Sequence, residues 1–127
     1  MPNRDFSLID ANLSRAREGI RVVEDIARFI FRDHERFEEL KRLRHELLNI
    51  QRFFGVATLL DGRNEPDIGK EEVVLGEYER SSAWDIVSAN MSRSIEAIRV
   101  LEEFAKIYVP HASHPLENIR YSLYTLE

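Results

Sequence analysis

Two sets of polar residues share one spacing in this chain: Asn12, Arg15, Glu18, Arg21 and Glu24, then Asn90, Arg93, Glu96, Arg99 and Glu102. Arginine donates to anions, glutamate holds a cation or orients a donor, and asparagine offers both a donor and an acceptor edge. Together they suit the gripping of a small charged ligand. They belong to a longer repeat, in which Ala11 to Ala27 reappears as Ala89 to Ala105 with ten of 17 pairs identical. A duplication kept only for packing would retain its apolar pattern and let surface charges drift. Retained Asn, Arg and Glu point to paired chemistry.

The repeat continues more loosely. Leu40-x-x-Leu43-Arg44-His45-Glu46-Leu47 matches Leu116-x-x-Ile119-Arg120-Tyr121-Ser122-Leu123, with a connection two residues shorter in the second copy. Each half reads as a long helix followed by a shorter one, an αα-hairpin that cannot bury its apolar stripe alone. The expected fold is all-α: a four-helix bundle of two repeated αα-hairpins, 7–54 and 82–127, joined by a long irregular loop over 55–81 in a single domain.

Helix limits follow from local signals. Ser7-Leu8-Ile9-Asp10 and Ser82-Ala83-Trp84-Asp85 have the form of capping boxes, Gly55 suits a helix stop, Pro110 limits the third helix near Tyr108, and Pro115 suits the first turn of the last. In the first helix Leu8, Gly19, Val22, Val23, Ile26 and Ile30 are expected to line one face, with Asn12 and Arg15 on that face and Glu18 at its border. Arg21, Glu24, Arg99 and Glu102 are expected on the solvated side. An inward guanidinium needs an anion. Glu18 and Glu96, three residues along, or a bound ligand would each serve. The stretch Asp61 to Gly69 is rich in turn formers, and a connection of this length reads as a flap over one end of the bundle.

Several chemistries are excluded by composition. The net charge of −5 and the lack of an isolated Lys/Arg block argue against nucleic acid as a partner. There is no cysteine, so no disulfide, thiolate nucleophile or thiolate metal site. Asn64 stands where a phosphate-cradling P-loop needs glycine, and Glu71 follows Gly69-Lys70. His45-Glu46 lacks the second histidine of a zinc-protease helix, while His34, His111 and His114 read as exposed connection residues. Met1 to Leu8 does not resemble a secretory leader and no apolar run of ~18 residues occurs, so a soluble cytoplasmic protein without a membrane partner is expected.

The motifs Asp10 to Asp25, Leu43-Arg44-His45-Glu46-Leu47, Asp67-Ile68-Gly69, Glu77-Tyr78-x-Arg80, Ala89-Asn90-x-x-Arg93-x-x-Glu96 to Glu103 and Ile119-Arg120-Tyr121 to Glu127 resemble one known family. It is the all-helical hydroxymethylpyrimidine phosphate kinase domain found alone or fused ahead of thiamine phosphate synthase in some bacteria. The resemblance covers about the whole chain. It implies ATP-dependent phosphorylation of 4-amino-5-hydroxymethyl-2-methylpyrimidine phosphate to the diphosphate, with ATP and Mg2+ as cofactors. By motif position it also implies Arg15, Arg93, Arg44 and Arg120 as phosphate binders and Glu18 and Glu96 as Mg2+ or orienting carboxylates. Asn12 and Asn90 would read the aminopyrimidine edge, His45 would join the site, and Asp67 and Gly69 would close over ATP. The second copy departs from the first where Tyr121 stands for His45 and Ile95 for Arg17.

Two other readings fit the same residues: a non-catalytic helper that presents pyrimidine phosphates to thiamine phosphate synthase, and an all-helical enzyme acting on another small dianion. A homodimer is compatible with all three.

Overall fold

A computed structural model describes residues 3–55 and 79–126. Among these residues there are four α-helices: α1 (Asn3–Phe29), α2 (His34–Gln51), α3 (Ala83–Tyr108) and α4 (Ser113–Leu126). Among the described residues there is no strand, so the chain is all-α as its periodicity requires. Helices α1 and α3 pack along each other at the centre, α2 lies on α1 and α4 on α3. No described helix is long and apolar enough to cross a membrane.

Ile9, Leu13, Ala16, Ile20, Val23 and Ala27 recur at steps of three and four and form the buried stripe of α1. The centre of this stripe is turned by about a quarter of a revolution from the expected one. Asn12, Gly19, Val23 and Ile26 are buried as expected, whereas Val22 and Leu8 are only half-buried and Ile30 is exposed. The helix carries apolar residues around much of its circumference, so the local pattern has two solutions, and contact with both α2 and α3 selects one. Met91, Ile95, Ile98 and Leu101 from α3, Leu40, Leu43, Leu47 and Ile50 from α2, and Leu116, Ile119 and Leu123 from α4 join that stripe in one core.

Helix α1 starts at Asn3, a turn before the expected Ser7. Phe6 and Ile9 extend its buried side upstream, and Asp5 in the first turn accepts a hydrogen bond from the Tyr108 hydroxyl at the far end of α3. That bond, reinforced by burial, pushes the Tyr108 pKa up to about 12, from the usual value of about 10. Because the folded value is the higher one, the contribution is complete below pH ~10 and lost as pH rises toward about 12. Thermal melts between these limits are expected to show a loss of Tm in the wild type that Tyr108→Phe lacks, and parallel curves would contradict this.

The other ends behave as read from sequence. The Ser82 hydroxyl accepts from the Asp85 amide at 3.3 Å while the Asp85 carboxylate accepts from the Ser81 amide at 3.0 Å. A short 3-10 turn over Arg52–Phe54 closes α2, and Gly55 follows at φ 83°, the stop expected there. The turn between α1 and α2 places Arg32 at φ 54°, and the Asp33 amide reaches back to the Ala27 carbonyl at 2.8 Å. The expected flap, with Asp67 and Gly69, lies outside the described residues.

The central helices cross where side chains are smallest. The buried Ser94 hydroxyl donates to the Ala16 carbonyl at 3.0 Å. A Cβ on Gly19 would overlap Ser94 Oγ and stand 2.8 Å from the Asn90 carbonyl oxygen. A backbone carbonyl cannot rotate aside, so Gly19→Ala must push α1 and α3 apart. It is expected to cost ~1–3 kcal/mol in urea unfolding. Adding Ser94→Ala should not restore stability, because the Asn90 carbonyl remains in the way; full recovery would show that the crossing adapts.

Candidate functional site

The repeated polar residues separate into three groups by what they touch. In the first, Arg44 Nε and Nη2 donate to the two carboxylate oxygens of Glu24, the Nη2 bond measuring 3.1 Å. Arg120 grips Glu102 in the same way, again with Nη2 at 3.1 Å. Glu24 and Glu102 are 1% and 3% exposed. Each fork ties a short helix to its long one, and hydrogen bonding to the carboxylate raises both guanidinium pKa values against the opposing effect of burial. This corrects one expectation: Glu24 and Glu102 are interior groups and not solvated charges. Arg44 and Arg120, expected to bind phosphate, place Nε and Nη2 in these forks.

A second group stabilises its own helix. Arg21 lies 3.5 Å from Asp25 and Arg99 2.8 Å from Glu103, both exposed i,i+4 pairs. Asn12 Nδ2 donates to the Leu8 carbonyl at 2.9 Å and Asn90 Nδ2 to that of Ile86 at 2.8 Å. One amide hydrogen is thus used in each copy, which fixes the side chain and leaves its oxygen and second hydrogen for another partner.

The third group is Arg15, Glu18, Arg93 and Glu96. All four are exposed, where Arg15 and Arg93 were expected to point inward. The rotated stripe of α1 is the reason. Among the described residues no ion pair involves any of them. Internal Arg–Glu pairs setting the helix register are therefore not what preserves them. Arg15 adjoins Ala16 and Arg93 adjoins Ser94, the two residues bonded at the crossing, so the duplicated charges are next in sequence to this α1–α3 contact. His45 is exposed on α2 next to the Glu24–Arg44 fork.

Two guanidinium groups without a carboxylate partner can neutralise a multiply charged anion. No cluster of three or more His, Cys, Asp or Glu occurs among the described residues. The exposed Glu18 and Glu96 each offer one carboxylate, the donor type a hard divalent cation takes alongside ligand phosphates.

Two features escaped the sequence. Arg28, Arg32, His34 and Lys41 surround Phe37 in an open depression of about 450 Å3 at the α1–α2 turn. A separate, mainly apolar cavity of about 470 Å3 lies beneath Phe31 and Trp84, whose rings stack at 4.4 Å. The four basic residues were visible individually, but only the turn geometry brings them together.

A sequence profile of the ThiD2 family matches residues 7–127. The chain belongs to the ThiD2 family. This ThiD2-family chain is 40% identical over 123 residues to the thiamine-phosphate synthase of Nostoc punctiforme, covering 96% of this chain and 34% of that protein. It is 41% identical over 122 residues to the thiamine-phosphate synthase of Gloeobacter violaceus, covering 94% and 34% respectively. The chain thus spans about a third of the length of these curated relatives. No solved structure matches it.

Proposed function

We propose that this chain acts in thiamine biosynthesis as a kinase, transferring the γ-phosphoryl group of ATP to 4-amino-5-hydroxymethyl-2-methylpyrimidine phosphate. The observation that carries this reading is the duplicated Asn-x-x-Arg-x-x-Glu set, whose Arg and Glu are exposed beside the α1–α3 crossing and have no ion-pair partner among the described residues. Membership of the ThiD2 family and similarity to thiamine-phosphate synthases support the pathway.

The reaction makes modest demands on the protein. An oxygen of the acceptor's phosphate attacks the γ-phosphorus, the bond to the bridging oxygen breaks, and ADP leaves with that electron pair. A phosphate monoester with a second pKa near ~6 is largely dianionic at neutral pH, so no base is needed to generate the nucleophile. What remains is to bring two polyanions together. In this reading Arg15 and Arg93 offset their repulsion and hold them in line, and Asn12 and Asn90 direct their remaining amide groups to the aminopyrimidine edge. Glu18 and Glu96 would hold Mg2+ together with the phosphates, and the ion would supply further charge neutralisation.

ADP release by the purified chain with Mg2+, ATP and the pyrimidine phosphate tests this. Release only when all are present is the expected result. Binding of the pyrimidine phosphate without turnover would instead support a helper of thiamine phosphate synthase. Rearrangement of a carboxylate substrate without ATP would support an enzyme for another dianion.

A further inference from the structure

We infer that the α1–α2 turn carries a second anion site, for a multiply charged phosphate group, separate from the α1–α3 crossing. Arg28, Arg32 and Lys41 line one depression with His34 and Phe37, in a chain whose net charge is −5. Among the described residues no carboxylate pairs with any of the three. Of the acids nearby in sequence, Asp33 bonds Arg36 at 2.7 Å, Asp25 lies by Arg21, Glu24 is buried with Arg44, and Glu38 stands 3.9 Å from His34. Glu35 is exposed in the first turn of α2. The Arg28 guanidinium lies 4.7 Å from the centre of the Phe29 ring and 5.5 Å from that of Phe37, contacts that orient it without neutralising it.

Helix-end electrostatics give a plainer reason for cations at Arg28 and Arg32, beside the negative end of α1. They do not explain Lys41, in the second turn of α2, where a cation has no such benefit. The other half of the chain shows what architecture alone retains. There Lys106 stands for Arg28 and bonds Glu103 at 3.2 Å, Pro110 stands for Arg32, and Glu117 for Lys41. The basic cluster is therefore confined to one hairpin.

Twelve residues of α1 separate Ala16 from Arg28, about 18 Å at the rise of an α-helix. Transfer requires reacting atoms ~3–3.5 Å apart, so an anion at this turn is not one reacting at the crossing. The site is accessory, and it does not rest on the kinase reading.

Titration of inorganic triphosphate into the full chain, followed at the arginine Nε resonances, tests the site. Saturable shifts are expected for Arg28 and Arg32, retained in Arg15→Met/Arg93→Met, and reproduced weakly or not at all by sodium chloride at equal ionic strength. Arg28→Gln/Lys41→Gln should weaken triphosphate binding at Arg32 by ~10-fold or more through loss of two charged partners. ATP in place of triphosphate separates the sources: adenine contacts to Phe37 with tighter binding identify a nucleotide, and equal affinity identifies the phosphate chain alone. Non-saturating shifts matched by sodium chloride, or equal weakening in both double variants, would overturn the proposal. Because no turnover is measured, an inactive protein would leave this test intact.

Discussion

Arg44→Met is expected to destabilise the fold by ~3–5 kcal/mol, because it leaves the Glu24 carboxylate, 1% exposed, without its partner. Arg120→Met should act similarly through Glu102. Urea unfolding should show a lower midpoint at an unchanged m-value, the mark of altered stability without altered compactness. The double replacement Glu24→Leu/Arg44→Met should recover most of the loss, since an apolar pair of similar volume avoids desolvating two charges. A loss below ~1 kcal/mol for Arg44→Met would place the pair in the range of solvent-screened ion pairs and contradict the fork's role.

Arg15→Met and Arg93→Met are expected to do the opposite. Both side chains are exposed and have no ion-pair partner among the described residues, so midpoints should move by no more than ~0.5 kcal/mol. Activity should fall by at least ~100-fold in kcat/KM, about 2.7 kcal/mol of transition-state stabilisation. Lysine should rescue poorly, because an ammonium cannot reproduce the two-pronged geometry of guanidinium on phosphate. The surroundings of the two copies differ at His45 and Tyr121, so the losses should be unequal, one mainly in KM and the other mainly in kcat.

Helix number, the Ser82 cap, the Gly55 stop and the end of α3 near Tyr108 were legible because each depends on residues a few positions apart. The facing of α1 was not. Val22 beside Val23 and Ile26 beside Ala27 satisfy two helical faces about equally, and only the crossing at Ala16, Gly19 and Ser94 chooses between them. The same limit hid the forks. Glu24 and Arg44 lie on different helices, and one helix pattern cannot show that a charge has a buried partner on another. The duplicated residues divide by what they touch: Glu24 and Glu102 hold helices in place, while among the described residues Arg15, Glu18, Arg93 and Glu96 have no ion-pair partner.

The most direct test of that division is the formation of pyrimidine diphosphate by the purified chain, followed by 31P NMR with ATP and Mg2+, in wild type and in Arg15→Met/Arg93→Met. The wild type should yield one diphosphate per ADP, and the double variant should retain the wild-type unfolding midpoint while forming product at least ~100-fold more slowly. A folded double variant with wild-type turnover would contradict the account.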